Sequence, residues 1–342
     1  MSKIKTAIVI LNWNGEKLLH QFLPSVIAHS NLPDTKIIVA DNGSTDDSIS
    51  ILKEKFPQVE VLDLKQNFGF AKGYNEALRQ IDADYYVLMN SDVEVCGGWL
   101  QPAVELLDGD ETIGAIQPKI LSYQQKDTFE YAGAAGGFID RLGFPFCRGR
   151  ILDSIEKDEG QYNQSRDIFW GSGACLIIRA GLFHKAGGFD GDFWAHMEEI
   201  DLCWRIKNMG YRIVFCPESK VYHLGGGSLP YGNPKKLYLN FRNNLSLLYK
   251  NLPANNLVGT LFLRMVFDAV AAFRLLTEGN VRGFLSVIRA HLSFYRNLSS
   301  LQKKRKVQSA ILTRKLHPEM FRKSIVLNYY LKKNKRFSEL EF

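Results

Sequence analysis

The sequence lacks any cysteine pattern that would bind a metal or build a disulfide scaffold. Its five cysteines include no CxxC pair, and they are Cys96, Cys147, Cys175, Cys203 and Cys216. Their odd number and scattered positions are typical of free thiols in a reducing compartment. We therefore predict a cytoplasmic protein without disulfides.

The sequence also lacks an uncharged apolar run of about 18 residues, so we predict no conventional membrane-spanning helix. A short apolar run at 6–11 ends in Asn12-Trp13-Asn14-Gly15, where a signal peptide would have small residues for cleavage. We interpret this run as a first β-strand. No glycine-rich, basic triphosphate loop follows it, which argues against a sugar nucleotidyltransferase.

Basic charge is scarce in the first part of the chain and abundant in the last. Residues 1–239 hold 24 Lys and Arg against 31 Asp and Glu, whereas residues 240–342 hold 19 against 5. Such an asymmetry indicates a region that faces an anionic surface, either nucleic acid or anionic lipid. No nucleic-acid-binding motif accompanies the charge, so we predict no nucleic-acid partner.

Apolar runs that fit buried strands alternate with helical spacing over residues 1–95. The runs lie at 7–11, 36–40, 59–64 and 85–89, and each leads into a polar loop. The alternation predicts a doubly wound, parallel sheet of the α/β class. Ligands of such sheets bind at the carboxyl ends of the strands, where these loops would meet.

Each of these loops has both a functional and an ordinary interpretation. Asn90-Ser91-Asp92 places a carboxylate within reach of a divalent cation on a diphosphate, but the same residue types dominate turns. The loop from Asp41 also fits a helix start capped by Ser44 or Thr45. In 67–75 the glycines permit close approach of the backbone to a ligand, and a plain helix start is the alternative.

The pattern weakens after residue 96. We predict a helix from Gly97 through Leu107, strands at 113–118 and 211–215, and a glycine-rich loop over 132–149. Three carboxylates then lie within four residues, which is costly unless they are solvated, paired or functional. They are Glu198, Glu199 and Asp201, and their apolar neighbours predict a helix that begins near Glu198. His223 precedes three glycines, so a ligand role and a structural role both stay open.

Taken together, these segments resemble the GT-A glycosyltransferases of family 2. The segments are 9–15, 41–46, 67–75 and 90–93, and 198–205 with 221–223 narrows the resemblance to the bacterial rhamnosyltransferase-like branch. The resemblance implies an inverting transfer of a sugar, with rhamnose as one candidate, from a nucleoside diphosphate sugar. It implies a hydroxyl of a glycan or lipid-linked acceptor, in cell-surface polysaccharide synthesis.

The resemblance also implies roles for individual residues. The donor would contact Asn12, Asn14, Asp41, Asn67, Gly69, Lys72, Asn75, Asn90, Ser91 and Asp92. Asp92 and His223 would hold a divalent cation, Mg²⁺ or Mn²⁺, although Asn90 replaces the family's first aspartate and removes one charge. The family's catalytic base falls on Glu199, with Glu198 as the second candidate. The acceptor would contact Trp170, Gly171, Ser172, Gly173, Asp201 and Trp204.

Beyond residue 240 the sequence predicts basic, amphipathic helices. The apolar segment 257–276 is interrupted by Arg264, Asp268 and Arg274, and basic residues of 281–298 fall largely on one side. Helices of this kind lie at membrane interfaces, where each basic residue contributes about 1 kcal/mol. We predict peripheral association with the inner face of the cell membrane. A helical subdomain that packs on the sheet or forms a homodimer is the alternative.

We therefore predict a GT-A catalytic domain over 1–240, with a doubly wound mixed sheet and a C-terminal helical extension over 241–342. Residues 1–95 would form its donor-binding half and 96–240 its acceptor-binding half. The alternative function is a catalytically inactive, membrane-associated scaffold, because Asn90 and Glu199 both differ from the family pattern. The sugar, the nucleotide (dTDP, UDP or GDP) and the acceptor stay open.

Overall fold

A computed structural model describes residues 4–225, 233–310 and 317–342. The first part contains β1 (Ile4–Asn12), α1 (Glu16–His29), β2 (Thr35–Asp41), α2 (Ser48–Lys55), β3 (Glu60–Asp63), α3 (Gly69–Leu78), β4 (Ala83–Asn90), β5 (Val93–Val95) and α4 (Gln101–Gly109). The middle part contains β6 (Ile113–Ser122), β7 (Gly137–Asp140), β8 (Pro145–Cys147), β9 (Arg150–Ile151), β10 (Ser154–Ile155), β11 (Arg166–Ile168), β12 (Cys175–Arg179), α5 (Ala180–Lys185), α6 (Glu198–Asn208) and β13 (Arg212–His223). The last part contains α7 (Pro234–Asn251), α8 (Ala254–Thr277), α9 (Val281–Arg296), α10 (Leu298–Ala310), β14 (Met320–Phe321), α11 (Ile325–Tyr330) and a 3₁₀ turn (Phe337–Glu339).

The first half of the central sheet is parallel, as the sequence predicts. Its strands lie in the order β4-β1-β2-β3, and the residues of β1 from Ala7 to Ile10 are almost fully buried. Burial on both faces explains why these runs are continuously apolar. The register pairs Asn12 with Asp41 and Leu11 with Asn90, so the predicted loops leave the sheet side by side.

The second half of the sheet is mixed. Strand β12 runs antiparallel to β4 and β6, β13 runs parallel to β6, and the short β5 pairs antiparallel with β13. The strand predicted at 211–215 continues to His223, and its register with β6 breaks between Cys216 and Lys220. Its end pairs His223 with Val93, which brings His223 next to the loop that carries Asp92.

Two local predictions are wrong. The predicted loop 132–149 contains β7 and β8 of a second, five-stranded sheet in the order β10-β9-β8-β7-β14. The glycines of this segment made it look like a loop in the sequence. Close packing requires a glycine at 137, because a Cβ there would lie 2.2 Å from the Trp170 ring. Neither Ser44 nor Thr45 caps α2, which begins at Ser48 without a side-chain cap hydrogen bond.

The C-terminal segments pack back onto the sheets. Strand β14 extends the small sheet by pairing with β7, and the Ile325 amide donates to Asp140 Oδ2 at 2.9 Å. Among the described residues, α8 is long and apolar enough to cross a membrane, by length and composition only, with a mean hydropathy of 1.5 and 17% burial. The sequence-based expectation of no such helix is therefore too strong, because the charges within this segment do not outweigh its apolar residues.

Candidate active site

The loops after β1 and β2 are joined around Asp41. Its carboxylate is fully buried and accepts hydrogen bonds from Asn12 Nδ2 at 3.0 Å and from the Ser44 amide at 2.8 Å. The Asn14 side chain accepts from the Thr45 amide at 2.7 Å. The single side-chain oxygen of the buried Asn12, Oδ1, has no hydrogen-bond partner within the protein. A ligand with a donor group would satisfy it.

Asn42, which the sequence reasoning missed, connects this pair of loops to the next one. Its Nδ2 donates to Asn67 Oδ1 and to the Gly69 carbonyl, both at 3.2 Å, and its Oδ1 accepts from the Phe68 amide at 3.0 Å. Gly69 has a φ of 76°, and a Cβ there would lie 2.8 Å from the Trp194 indole nitrogen. The position of Asn42 directly after Asp41 was the available signal.

The two other predicted donor contacts on α3 differ in their surroundings. Asn75 donates to the Phe189 carbonyl at 2.8 Å and accepts from the Phe189 amide at 2.9 Å, so both ends of its amide are engaged by the protein. This pairing ties α3 to the loop before α6. Lys72 is exposed, and its aliphatic chain lies against Gly191.

The loop after β4 meets the end of β13 in a polar cluster. His223 Nε2 lies 3.2 Å from Asp92 Oδ1 and 3.5 Å from Asn90 Nδ2, and His223 Nδ1 lies 3.5 Å from Glu130 Oε1. Asp92, Glu130 and His223 are all buried, whereas Asn90 and Ser91 are partly exposed. Glu130 was missed because it comes from a segment with no motif.

The charged forms of His223 and Asp92 stabilise each other in this cluster. Burial alone would lower the pKa of His223, but the hydrogen bonds to Asp92 and Glu130 raise it to about 10. Burial would raise the pKa of Asp92, and the hydrogen bond from His223 lowers it overall. Asp92 is therefore a carboxylate at neutral pH, as a cation ligand must be.

The donor atoms of this cluster fit a cation that is shared with a substrate. Within the described residues, no three His, Cys, Asp or Glu side chains form a complete metal site. Mg²⁺ is usually held by one or two carboxylates together with substrate phosphates, and Mn²⁺ prefers similar oxygen ligands. Asp92 could supply a carboxylate oxygen, and His223 could supply a ring nitrogen once a cation displaces its proton, because a ligating imidazole must be neutral.

One carboxylate oxygen of each glutamate at the start of α6 is buried without a hydrogen-bond partner. Oε2 of Glu198 and Oε2 of Glu199 make no hydrogen bonds. Burial raises the pKa of Glu199 to about 7, and burial with repulsion from Glu199 raises the pKa of Glu198 well above its ordinary value. A carboxylate with a pKa near 7 can accept a proton at neutral pH, and such groups concentrate at functional sites.

This pair lies close to the end of β4. A Cβ on Gly173 would lie 3.9 Å from the Glu199 Cβ, and the neighbouring Ala174 carbonyl accepts a hydrogen bond from the Asn90 amide at 3.0 Å. Glu199 is partly exposed, whereas Glu198 is only 5% exposed. The structure therefore brings the predicted base and the loop of the predicted metal ligand to the same edge of the sheet.

The backbone that leads into α6 adopts left-handed conformations at three non-glycine residues. Trp194, His196 and Met197 have φ values of 65°, 68° and 70°. Each such residue costs about 1–3 kcal/mol, and residues of this kind cluster at active sites. Trp194, which the sequence reasoning did not assign, is also 41% exposed, with Lys235 Nζ 3.7 Å from its ring centre.

Asp201 lies inside the protein and not on an acceptor surface. It is fully buried and binds Arg205 and Lys250, each at 2.9 Å, and Asn251 at 2.9 Å. The local cluster of acids suggested a shared function, but Asp201 is neutralised by residues that follow it in α6 and α7. Asp201 is therefore structural.

Most of the other predicted acceptor contacts are also buried. Trp204 is 1% exposed and packs edge-on against Phe169, and the Trp170 indole donates to the Phe138 carbonyl at 2.8 Å. Ser172 is likewise buried, and a Cβ on Gly171 would lie 2.5 Å from the Leu176 side chain. These residues are therefore part of the protein core, whereas Gly173, from the same predicted set, lies beside Glu199.

The fold and this site together define a nucleotide-sugar transferase of the GT-A type. Residues 7–187 match the family described as Glycosyl transferase family 2, which is more than half of the chain. The chain therefore belongs to glycosyl transferase family 2 and is a glycosyltransferase. The predicted family and fold class are confirmed.

Named relatives and solved structures agree with this assignment. The N-acetylglucosaminyl-diphospho-decaprenol L-rhamnosyltransferase of Mycobacterium tuberculosis is 27% identical over 234 residues, which is 63% of this chain and 75% of the relative. The mannosyltransferase PcManGT from Pyrobaculum calidifontis, in complex with GDP-Man and Mn²⁺, aligns with a TM-score of 0.53 and 15% identity over 91% of this chain and 86% of that one. TarS 1-349 from S. aureus, in complex with UDP-GlcNAc, aligns with a TM-score of 0.54 and 16% identity over 90% and 91%. The two structures support the fold alone.

Proposed function

We propose that this enzyme transfers a sugar, with inversion, from a nucleoside diphosphate sugar to a hydroxyl of a glycan or lipid-linked acceptor. The observation that carries the proposal is the Glu198–Glu199 pair, with one unpartnered carboxylate oxygen in each residue, at the edge of the sheet where the Asp41 and Asp92 loops emerge. The name of the Mycobacterium tuberculosis relative supports rhamnose as the sugar and a lipid diphosphate as the acceptor's carrier.

The donor would bind across the first three loops. Asp41, held by Asn12 and Ser44, and the Asn42–Asn67 pair would contact the nucleoside. Asp92 and His223 would hold Mg²⁺ or Mn²⁺ against the diphosphate. Such a cation supplies charge neutralisation for the departing diphosphate. The Mn²⁺ in the complex of the mannosyltransferase neighbour supports the same requirement here.

Glu199 would act as the general base. It is more exposed than Glu198, and a pKa of about 7 matches a base that works at neutral pH. It would take the proton of the acceptor hydroxyl as that oxygen attacks the anomeric carbon, from the face opposite the departing diphosphate. Glu198, whose pKa is raised further, would stay protonated and would not compete for the proton.

Calorimetry with dTDP, UDP and GDP, each with and without Mn²⁺, tests the donor site. We expect one nucleotide to bind in a metal-dependent way, because two protein ligands alone hold a cation weakly. Binding of none by a folded sample, together with no turnover of any donor, would contradict the proposal and favour the inactive scaffold.

We further propose that the region 241–342 binds a membrane surface and so brings the enzyme to lipid-linked acceptors. Of the 21 large hydrophobic side chains that are exposed among the described residues, 17 lie beyond residue 257. They include Phe262, Val270 and Phe273 of α8, each more than 60% exposed. The net positive charge of this region favours anionic lipid over a neutral surface. A homodimer formed through the same face is the alternative.

A further inference from the structure

Helix α7 contacts the loop that leads into α6 through one buried amide. Asn243 is 1% exposed, and its Nδ2 donates to the carbonyls of Phe193 at 3.0 Å, Ala195 at 2.9 Å and His196 at 2.7 Å. An amide nitrogen carries two hydrogens, so three carbonyls share two N–H groups. These carbonyls converge on one point, and without a donor there they would repel each other.

Arg242 fixes the orientation of this amide. Its guanidinium donates to Asn243 Oδ1 at 2.8 Å from Nε and at 2.7 Å from a terminal nitrogen. Because Arg242 needs the oxygen, the nitrogen of Asn243 must face the loop. Arg242 also donates to the carbonyls of Asp192 at 2.8 Å and Phe193 at 3.0 Å, which extends the same contact by one residue.

The loop that Asn243 binds has the three left-handed residues and ends at the first residue of α6, Glu198. A strained loop persists only where the surrounding structure holds it. We propose that Asn243, oriented by Arg242, is a positioning residue that holds this loop and thereby sets the position of Glu198 and Glu199. The proposal rests on the catalytic role proposed for that pair, and Asn243 lies outside the family match at 7–187.

Asn244 provides a matched control. It is the next residue of α7, has the same 1% exposure, and donates to the Gly143 carbonyl while accepting from Arg264, away from the loop. We expect Asn243→Ala to lower kcat by about 10- to 100-fold, the usual loss for a misplaced catalytic group, with nucleotide affinity changed by less than about twofold. Asn244→Ala should leave kcat within about twofold of the wild type. The comparison is made at a temperature well below the melting points of both alanine variants.

Two further measurements separate positioning from general destabilisation. Amide hydrogen exchange over residues 193–199 should speed up in Asn243→Ala and not in Asn244→Ala. The pH at which kcat reaches half its maximum should fall, because a loosened carboxylate pair is better solvated. Should Asn243→Ala fail to fold, Asn243→Ser retains one donor and should give intermediate exchange and kcat.

The proposal is overturned if the two alanine variants lose kcat equally, or if exchange over 193–199 is the same in both. It is also overturned if Asn243→Ser behaves like Asn244→Ala. Absence of turnover in the wild-type enzyme would instead contradict the proposed function, and the exchange comparison would still decide whether Asn243 holds the loop.

Discussion

A buried carboxylate oxygen without a hydrogen bond destabilises the fold that contains it, and Oε2 of Glu199 is such an atom. Because its pKa is raised in the folded protein to about 7, the folded state binds a proton that the unfolded state has lost above its ordinary pKa of 4.5. The contribution of Glu199 to stability is therefore fully present at low pH and is lost as the pH rises through about 7. The proposed general base needs the ionised carboxylate, which is the form that destabilises the fold.

Glu199→Gln should separate the two requirements. Turnover should fall by about 10²- to 10⁴-fold, the usual contribution of a general base. At pH 8 the variant should melt about 1–2 °C above the wild type, since relief of about 1 kcal/mol produces a shift of that order in a chain of this size. The difference should shrink toward pH 5, where the wild-type carboxyl is protonated. Calorimetric melting and a donor-hydrolysis or transfer assay measure both effects.

The exposed Glu54→Gln provides the control for this comparison and should change neither quantity. Wild-type turnover in Glu199→Gln would remove Glu199 as the base and direct attention to Glu198.

Asp92→Asn tests the cation site at the same scale. It removes the ligand charge but keeps the shape, so nucleotide affinity in the presence of Mn²⁺ should fall by at least about tenfold. Affinity without metal should stay unchanged. Titration calorimetry measures both, and Asp63→Asn, on the edge strand β3 and paired with Lys65, is the matched control. Equal metal dependence in wild type and Asp92→Asn would contradict the assignment.

At the scale of elements, α8 has two chemically different faces. Arg264 and Asp268 are buried and pair at 2.7 Å, with His291 of α9 3.1 Å from Asp268, whereas Phe262 and Phe273 are 67% and 65% exposed. Because Arg264 and Asp268 pair with each other on the buried face, the outer face of the helix is almost wholly apolar. Exposed apolar patches of this extent mark surfaces that bind something.

The double variant Phe262→Ser with Phe273→Ser should therefore lose membrane binding without loss of stability. Burying each Phe contributes about 1.5–3 kcal/mol, so partitioning to vesicles that contain anionic lipid should fall by at least about tenfold. Vesicle sedimentation measures the partitioning. Ile155→Ser, which removes an exposed apolar side chain on the small sheet, should have no effect. A wild-type dimer that dissociates in the double variant, with no vesicle binding by either protein, would favour the dimer interface.

The sequence predicted strands well where both faces of the strand are buried. It predicted them poorly where glycines and pairing with distant segments determine the structure. Strands β1 and β4 are covered on both faces, so their apolar runs are continuous and easily recognised. The small sheet was hidden by its glycines. The donor loops and Glu199 lie in local motifs, so the sequence could propose them, whereas Glu130 and Asn243 make their contacts with segments far away in sequence. The prediction that Asp201 contacts the acceptor does not fit the structure for the same reason. Asp201 is buried by its pairing with Lys250, which lies 49 residues away in the sequence.

At the scale of the whole molecule, the segment 317–342 completes the small sheet. The Phe337 ring lies 4.9 Å from the Phe138 ring and is 5% exposed, and β14 pairs with β7. These contacts join residues on both sides of residue 240, where we predicted the boundary between the catalytic domain and the helical extension. The C-terminal region therefore contributes to the core around β7 as well as to the proposed membrane face.

Phe337→Ala should accordingly destabilise the protein by about 3–5 kcal/mol, the usual loss for a buried Phe. Urea unfolding, followed by fluorescence, measures the change in free energy. Leu331→Ala, at a position that is 74% exposed, should stay within about 0.5 kcal/mol of the wild type. A loss in Phe337→Ala no larger than in the control would mean that the segment contributes little to stability.

The contact between α11 and β7 has a consequence for biosynthesis. Ile325 and Asp140, which it joins, are 185 residues apart in the chain. Proteins with such distant contacts fold slowly, and ribosomes deliver residues at about 5–20 per second. The small sheet therefore waits many seconds, after β7 has left the ribosome, for the strand that completes it. During that interval the apolar side chains of β7 and β8 lack their packing partners Phe337 and Phe321, while strands β1 to β4 have already been made.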